Sequence, residues 1–134
     1  MSKSQKGFLL AIVGIIAISV ISSCKKEAGD GGLATIHGKV YGFNTNNFGI
    51  KTDSGYLAEA RVYLGYGNHT WEDQDTRTSF TGEYAFPFLH TGDYTVWVIN
   101  KCDTCPSHQS GYVVKVTIDK PHETVDVPDL INIY

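Results

Sequence analysis

The chain has 134 residues, 42% hydrophobic and 12% aromatic, with eleven Lys or Arg against fourteen Asp or Glu. A formal charge of −3 with no basic stripe leaves nothing to neutralise phosphates, which argues against nucleic acid as a partner. The length allows one folded core and not two.

Lys3 and Lys6 precede the apolar run "FLLAIVGIIAISVI" (Phe8 to Ile21), a positive segment followed by a hydrophobic one of signal-peptide length. It is too short to span a bilayer, which takes about 20 apolar residues. The run stops at "ISSC", where Ile21, Ser22, Ser23 and Cys24 resemble the lipobox of bacterial lipoproteins. The resemblance implies that residues 1–23 are removed and that Cys24 is acylated, so that the protein meets the membrane through its lipid. Lys25 rather than Asp follows the cysteine, which in that family implies sorting to the outer membrane, facing either the periplasm or the cell surface. The pattern is also similar to lipoproteins of the Bacteroidota. From Cys24 onward nine basic residues face fourteen acidic ones, a formal charge of −5. Residues 24–33, beginning "CKKEAGDGG", hold too little apolar surface to offset their ordering entropy and read as a flexible tether.

Residues 34–134 read as one all-β domain. "TIHGKVY" sets Ile36, Gly38 and Val40 on one face and His37, Lys39 and Tyr41 on the other. "ARVYLGY" puts Ala60, Val62 and Leu64 inward and Arg61 and Tyr63 outward. A strand "TRTSF" leads through "TGE" into "YAFPF", with Tyr84, Phe86 and Leu89 as core residues. "DYTVWVIN" alternates Tyr94, Val96 and Val98 against Thr95, Trp97 and Ile99. "YVVKVTID" and "TVDVPDLINI" complete the set, with Val114, Val116, Ile118, Val125 and Val127 inward. Seven short strands in one domain, punctuated by turn residues, predict a seven-stranded Greek-key β-sandwich.

"IHGKVYG", "LAEARVYL" and "RTSFTGEYAFPFLHTGDYTVWV" resemble the carboxypeptidase regulatory-like domain, a transthyretin-like (prealbumin-like, broadly immunoglobulin-like) sandwich related to the Cna-B modules. Gly38 and Val40, Ala60, Val62 and Leu64, Gly82 and Tyr84, and Leu89, Gly92 and Tyr94 occupy the positions of that family's pattern, and Ser79 stands where the family often has Asp. The resemblance implies the fold and says almost nothing of activity, because this architecture hosts many functions. Some Cna-B relatives join a Lys to an Asn. Lys39 and Asn132 lie in the first and last strands here, but no acid accompanies them.

No nucleophile elbow, phosphate-binding glycine loop or HExxH motif occurs, so no enzyme activity and no cofactor are expected. His37, His69, His90, His108 and His122 are scattered without metal-site spacing. Glu72, Asp73 and Asp75 cluster in a loop that lacks the spacing of a calcium-binding hand. Cys102-x-x-Cys105 reads as a disulfide, as half of a zinc site with His108, or as a redox pair. The pair follows a strand rather than opening a helix, and these are the only two thiols left if Cys24 carries lipid. A disulfide is therefore the expectation, with no metal.

The expected function is a lipid-anchored, non-catalytic binding or structural module of the cell envelope, acting on a protein partner. The alternative is glycan binding, with the outward Tyr63, Trp97 and Tyr41 and the loop residues Tyr66 and Trp71 as the candidate face. The anchor is tested first. Wild type should begin at an acylated Cys24 and partition into detergent, and Cys24→Ala should remain an uncleaved precursor. Normal processing and membrane retention of that variant would exclude the lipobox.

Overall fold

The computed structural model describes residues 27–134, so the signal segment and the acylation expected at Cys24 lie outside the described residues. Among the described residues nine strands form two sheets around one core. They are β1 (Asp30–Thr45), β2 (Lys51–Tyr56), β3 (Arg61–Tyr66), β4 (Gln74–Arg77), β5 (Glu83–Leu89), β6 (Gly92–Lys101), β7 (Gln109–Ile118), β8 (Thr124–Asp126) and β9 (Leu130–Ile133). The architecture is the all-β sandwich that the alternation predicts.

The first sheet is built around β1. Antiparallel β5 and β2 lie end to end along one edge of it, and parallel β8 and β9 lie end to end along the other. The changeover from β5 to β2 falls at Val40, whose N–H donates to the Gly82 carbonyl while its own carbonyl accepts from Leu57 N–H. The second sheet has the order β4-β3-β6-β7, antiparallel throughout.

Between the sheets lie the predicted inward residues. Ile36, Val40, Val62, Leu64, Phe86, Leu89, Tyr94, Val96, Val98 and Ile118 are all buried, because period-2 alternation gives each strand one apolar face. Ala60, Val114 and Val125 are partly buried against the same core. Tyr84 lies over Gly38, where an added Cβ would come within 2.6 Å of its hydroxyl.

The differences from the seven predicted strands have local causes. β2, "KTDSGY", has no apolar face and is held by backbone pairing to the far end of β1, so its pattern gave no signal. The last predicted strand is two, because Pro128 has no N–H for a ladder and β9 resumes beside the second half of β1. β4 ends at Arg77 rather than running to Phe80. The ladder closes at Thr78, whose N–H still donates to the Ala60 carbonyl while its hydroxyl, in place of a backbone carbonyl, receives Ala60 N–H at 2.9 Å and in turn donates to the Leu57 carbonyl.

The span expected as tether also needs correcting, since β1 begins at Asp30. Asp30 pairs with Leu89, and the buried Tyr94 hydroxyl, which has one proton to donate, lies 2.7 Å from the His90 carbonyl oxygen and 3.1 Å from that of Gly29 while receiving Gly29 N–H at 3.0 Å. This corner ties the entering chain to the core, so the segment orders through backbone partners that its composition does not reveal. In the β4–β5 turn Gly82 takes φ 79°, and the Ser79 hydroxyl accepts Glu83 N–H at 3.3 Å.

The two sheets are also joined by a buried amide. Asn100 Oδ1, at the end of β6, accepts Ile133 N–H at 3.2 Å and Asn132 Nδ2 at 3.1 Å from β9, and Asn132 also donates to the Ile99 carbonyl. Asn100→Ala would leave the Ile133 amide without its acceptor, a loss of roughly 1–3 kcal/mol. Urea unfolding should show this as a lower midpoint at unchanged slope. A loss under about 0.5 kcal/mol, within the range of ordinary surface substitutions, would mean that the amide is dispensable.

Candidate functional site

The outer face of the four-stranded sheet carries two of the aromatic residues singled out by alternation. With Val62 and Leu64 of β3 and Val96 and Val98 of β6 in the core, Tyr63 and Gly65 face outward from β3, and Thr95, Trp97 and Ile99 from β6. Register sets Tyr63 beside Trp97, and the rings stack with centroids 5.7 Å apart and planes 16° from parallel. The Arg61 guanidinium lies 5.7 Å from the Tyr63 centroid and pairs with Asp75 at 2.8 Å. The half-buried indole is therefore held on its sheet and has little rotamer freedom left to lose on contact.

Gly65 makes room for what lies above it. A Cβ there would sit 3.2 Å from Trp97 Cζ3, 3.2 Å from the Trp71 carbonyl oxygen and 3.3 Å from that of His69. The β3–β4 loop, residues 67–73, thus folds back over this end of the sheet and forms a wall beside the indole.

One carboxylate fastens the loop. Asp73 Oδ2 accepts Tyr66 N–H at 2.7 Å and lies 2.7 Å from His69 Nδ1, and Asp73 N–H donates to the Leu64 carbonyl. His69 stacks on Trp71 with centroids 4.4 Å apart. Burial works to raise the Asp73 carboxyl, but the hydrogen bonds from the Tyr66 amide, His69 and Trp71 outweigh it and hold the group below its ordinary value of 3.8.

On the other side, Cys102 and Cys105 are joined as a disulfide in the β6–β7 turn, with Cα atoms 5.4 Å apart. Both thiols are consumed, which leaves the zinc alternative without its sulfur ligands. Cys102 N–H donates to the His108 carbonyl and His108 N–H to that of Cys105, so the turn closes on itself and delivers Gln109 to the head of β7. Closing so short a loop contributes about 2 kcal/mol in the chain-entropy picture.

Between the β3–β4 loop and the head of β7 lies a cleft of about 560 Å³. Trp97, Ile99 and Val113 form its apolar floor. Asn68, His69 and Thr70 come from the loop, and Gln109, Ser110 and Lys115 from β7. Gly111, opposite Ile99, has no side chain to fill it. An apolar floor with a few convergent polar groups, in a volume of this order, is the usual form of a small-ligand site.

The five candidate aromatics divide. Tyr63 and Trp97 stack, while Trp71, exposed, stacks on His69 in the loop beside them. Tyr41 lies on the other sheet, edge-on to Tyr56 at 5.4 Å, and takes no part. Tyr66 is the last residue of β3, not a loop residue. The alternation that sends Tyr63 outward sends it inward, edge-on to Tyr94 at 5.9 Å, with its hydroxyl bonded to Gln74. The polar lining was not foreseen, because Asn68, Gln109 and Lys115 are brought together by pairing rather than by sequence spacing.

The remaining candidates are engaged elsewhere. Asp75 binds Arg61 while Asp73 holds the loop, and among the described residues no group of three or more His, Cys, Asp or Glu is gathered to hold a metal. Lys39 pairs with Glu83 at 3.2 Å, whereas Asn132 binds the end of β6.

No family model matches the chain, and no curated protein matches it. A solved structure from Pseudomonas aeruginosa, described provisionally as a carbohydrate binding protein, aligns over 78% of this chain and 91% of its own, at 14% identity and a TM-score of 0.47. Neither value is high enough to bear on this chain.

The lowered Asp73 value makes a prediction about acid. A carboxylate depressed in the folded state contributes stability that is present above its ordinary value and lost as pH falls through the folded one. Wild type should therefore melt above Asp73→Asn at neutral pH, and the gap should close below about pH 4. A gap that stays constant down to about pH 2 would show that Asp73 acts only as a neutral acceptor.

Proposed function

We propose that the protein is a non-catalytic carbohydrate-binding module, held at the cell envelope by lipid on Cys24, whose site is the cleft over Trp97. The observation that carries this reading is an indole fixed at the floor of a cleft whose rim bears amide and hydroxyl groups. A sugar ring has an apolar face of C–H groups and an equator of hydroxyls. The first suits the flat face of Trp97, and the second suits Asn68, Thr70, Gln109 and Ser110. Because Tyr63, the loop and the disulfide hold these groups in place, little ordering is left to oppose binding. The outer-membrane location expected from Cys24 and Lys25 would set the module where glycans are met.

A second reading, contact with an envelope protein, is favoured by the tip of the β1–β2 hairpin, where Phe48 is 87% exposed and Ile50 61%. Large apolar side chains at a loop tip suit an interface.

Trp97→Ala separates the two. The substitution should cost roughly 2–3 kcal/mol in stability, the loss of one stacked pair and of a half-buried indole, and should abolish binding on a glycan array. Retained glycan binding would remove this face. Binding of no glycan by wild type, together with a membrane protein captured through Phe48, would favour the second reading.

A further inference from the structure

The cleft carries one fixed charge, and it is positive. Lys115 on β7 faces outward opposite Thr95, two residues along from the Trp97–Val113 pair on the same face. Diagonal neighbours of this kind stand about 7 Å apart, the span of a single sugar ring with its substituent. No carboxylate lines the cleft, and His69 has its Nδ1 committed to Asp73. The next outward acid along β6, Asp93, accepts the Thr117 hydroxyl at 2.7 Å.

Other cations are occupied. Lys39 pairs with Glu83, Arg61 with Asp75 and Lys101 with Asp103; Lys51 lies over the Phe43 ring, and Arg77 donates to the Glu59 carbonyl. Among the described residues only Lys115 and Lys120 have side chains without such a partner, and Lys120 lies in the turn beyond β7, outside the cleft. A chain whose formal charge is −3 thus keeps an unneutralised ammonium beside its aromatic platform.

Resting on the carbohydrate reading, we infer that the ligand is an acidic sugar, its ring on Trp97 and its anionic group, carboxylate or sulfate, on Lys115. An ammonium is a compact point charge that suits either anion. A charge-assisted hydrogen bond beside an apolar floor is about twice as strong as a neutral one, so the anion contributes affinity and also fixes which way the ring lies. Gln109, Ser110 and Asn68 remain for the hydroxyls.

The test is calorimetry on the full mature chain with three sets of oligosaccharides of equal length: uronate-containing, sulfated and neutral. At least one acidic set should bind about tenfold more tightly than the neutral set, and the stronger of the two identifies the anion. Lys115→Gln should lower acidic binding about tenfold and leave neutral binding within about twofold. Added salt should weaken only the acidic sets. Neutral sugars bound as tightly as acidic ones, with Lys115→Gln silent, would overturn the acidic preference and leave the carbohydrate reading standing. Failure of all three sets, or equal binding by wild type and Trp97→Ala, would overturn both.

Discussion

The antiparallel register of β3 on β6, which sets Leu64 against Val96 on one face and Tyr63 against Trp97 on the other, governs both the core and the cleft. Side chains alternate strictly along each strand. A slip of one residue would therefore carry Val62, Leu64, Val96 and Val98 to solvent and bury the indole. The burial of four aliphatic side chains holds the register, and the position of Trp97 on the outside is its consequence. The platform thus needs no stabilising interaction of its own beyond the stack with Tyr63.

Where the ladders end, single polar groups take over. Tyr94 holds the chain at Gly29, Thr78 closes the exit from β4, Asn100 ties β9 to β6, and Asp73 ties the β3–β4 loop to Tyr66. Each meets partly buried backbone N–H or C=O groups, so each is worth more than an exposed hydrogen bond. Three of the four lie at the periphery of the core. Asp73 is bonded to His69, which lines the cleft, so it is the point at which a change in protonation reaches the proposed site.

Much of the fold was legible because its core strands have one apolar face. The outward direction of Tyr63 and Trp97 followed from the same alternation that put Val62 and Val96 inside. What could not be read is what depends on partners distant in the chain. β2 has no apolar face, and the start of β1 looks like a tether because a Gly-rich stretch does not reveal the Tyr94 hydroxyl that holds it. Tyr41 was grouped with Trp97 because both face outward, but outward from different sheets, a distinction that only pairing makes. Asn68, Gln109 and Lys115 were unremarkable singly, and their convergence is a product of the β6–β7 register and of the fold of one loop.

Two glycines that weaken their strands lie at or beside this cleft. Gly65 sits inside β3 and Gly111 inside β7, positions where glycine weakens a strand by conformational entropy and by the packing it forgoes. Trp97 offers an indole to the outer face of the sheet, where a smaller β-branched residue would serve the strand as well. A side chain at Gly65 would displace the indole or the loop, and one at Gly111 would project into the open end of the cleft. Local departures of this kind are expected where function rather than stability sets the residue. Their coincidence with the stacked pair and the unpaired Lys115 is a stronger reason to place the site here than exposed aromatic area alone, since Phe80, 94% exposed at an isolated turn, has none of these features around it.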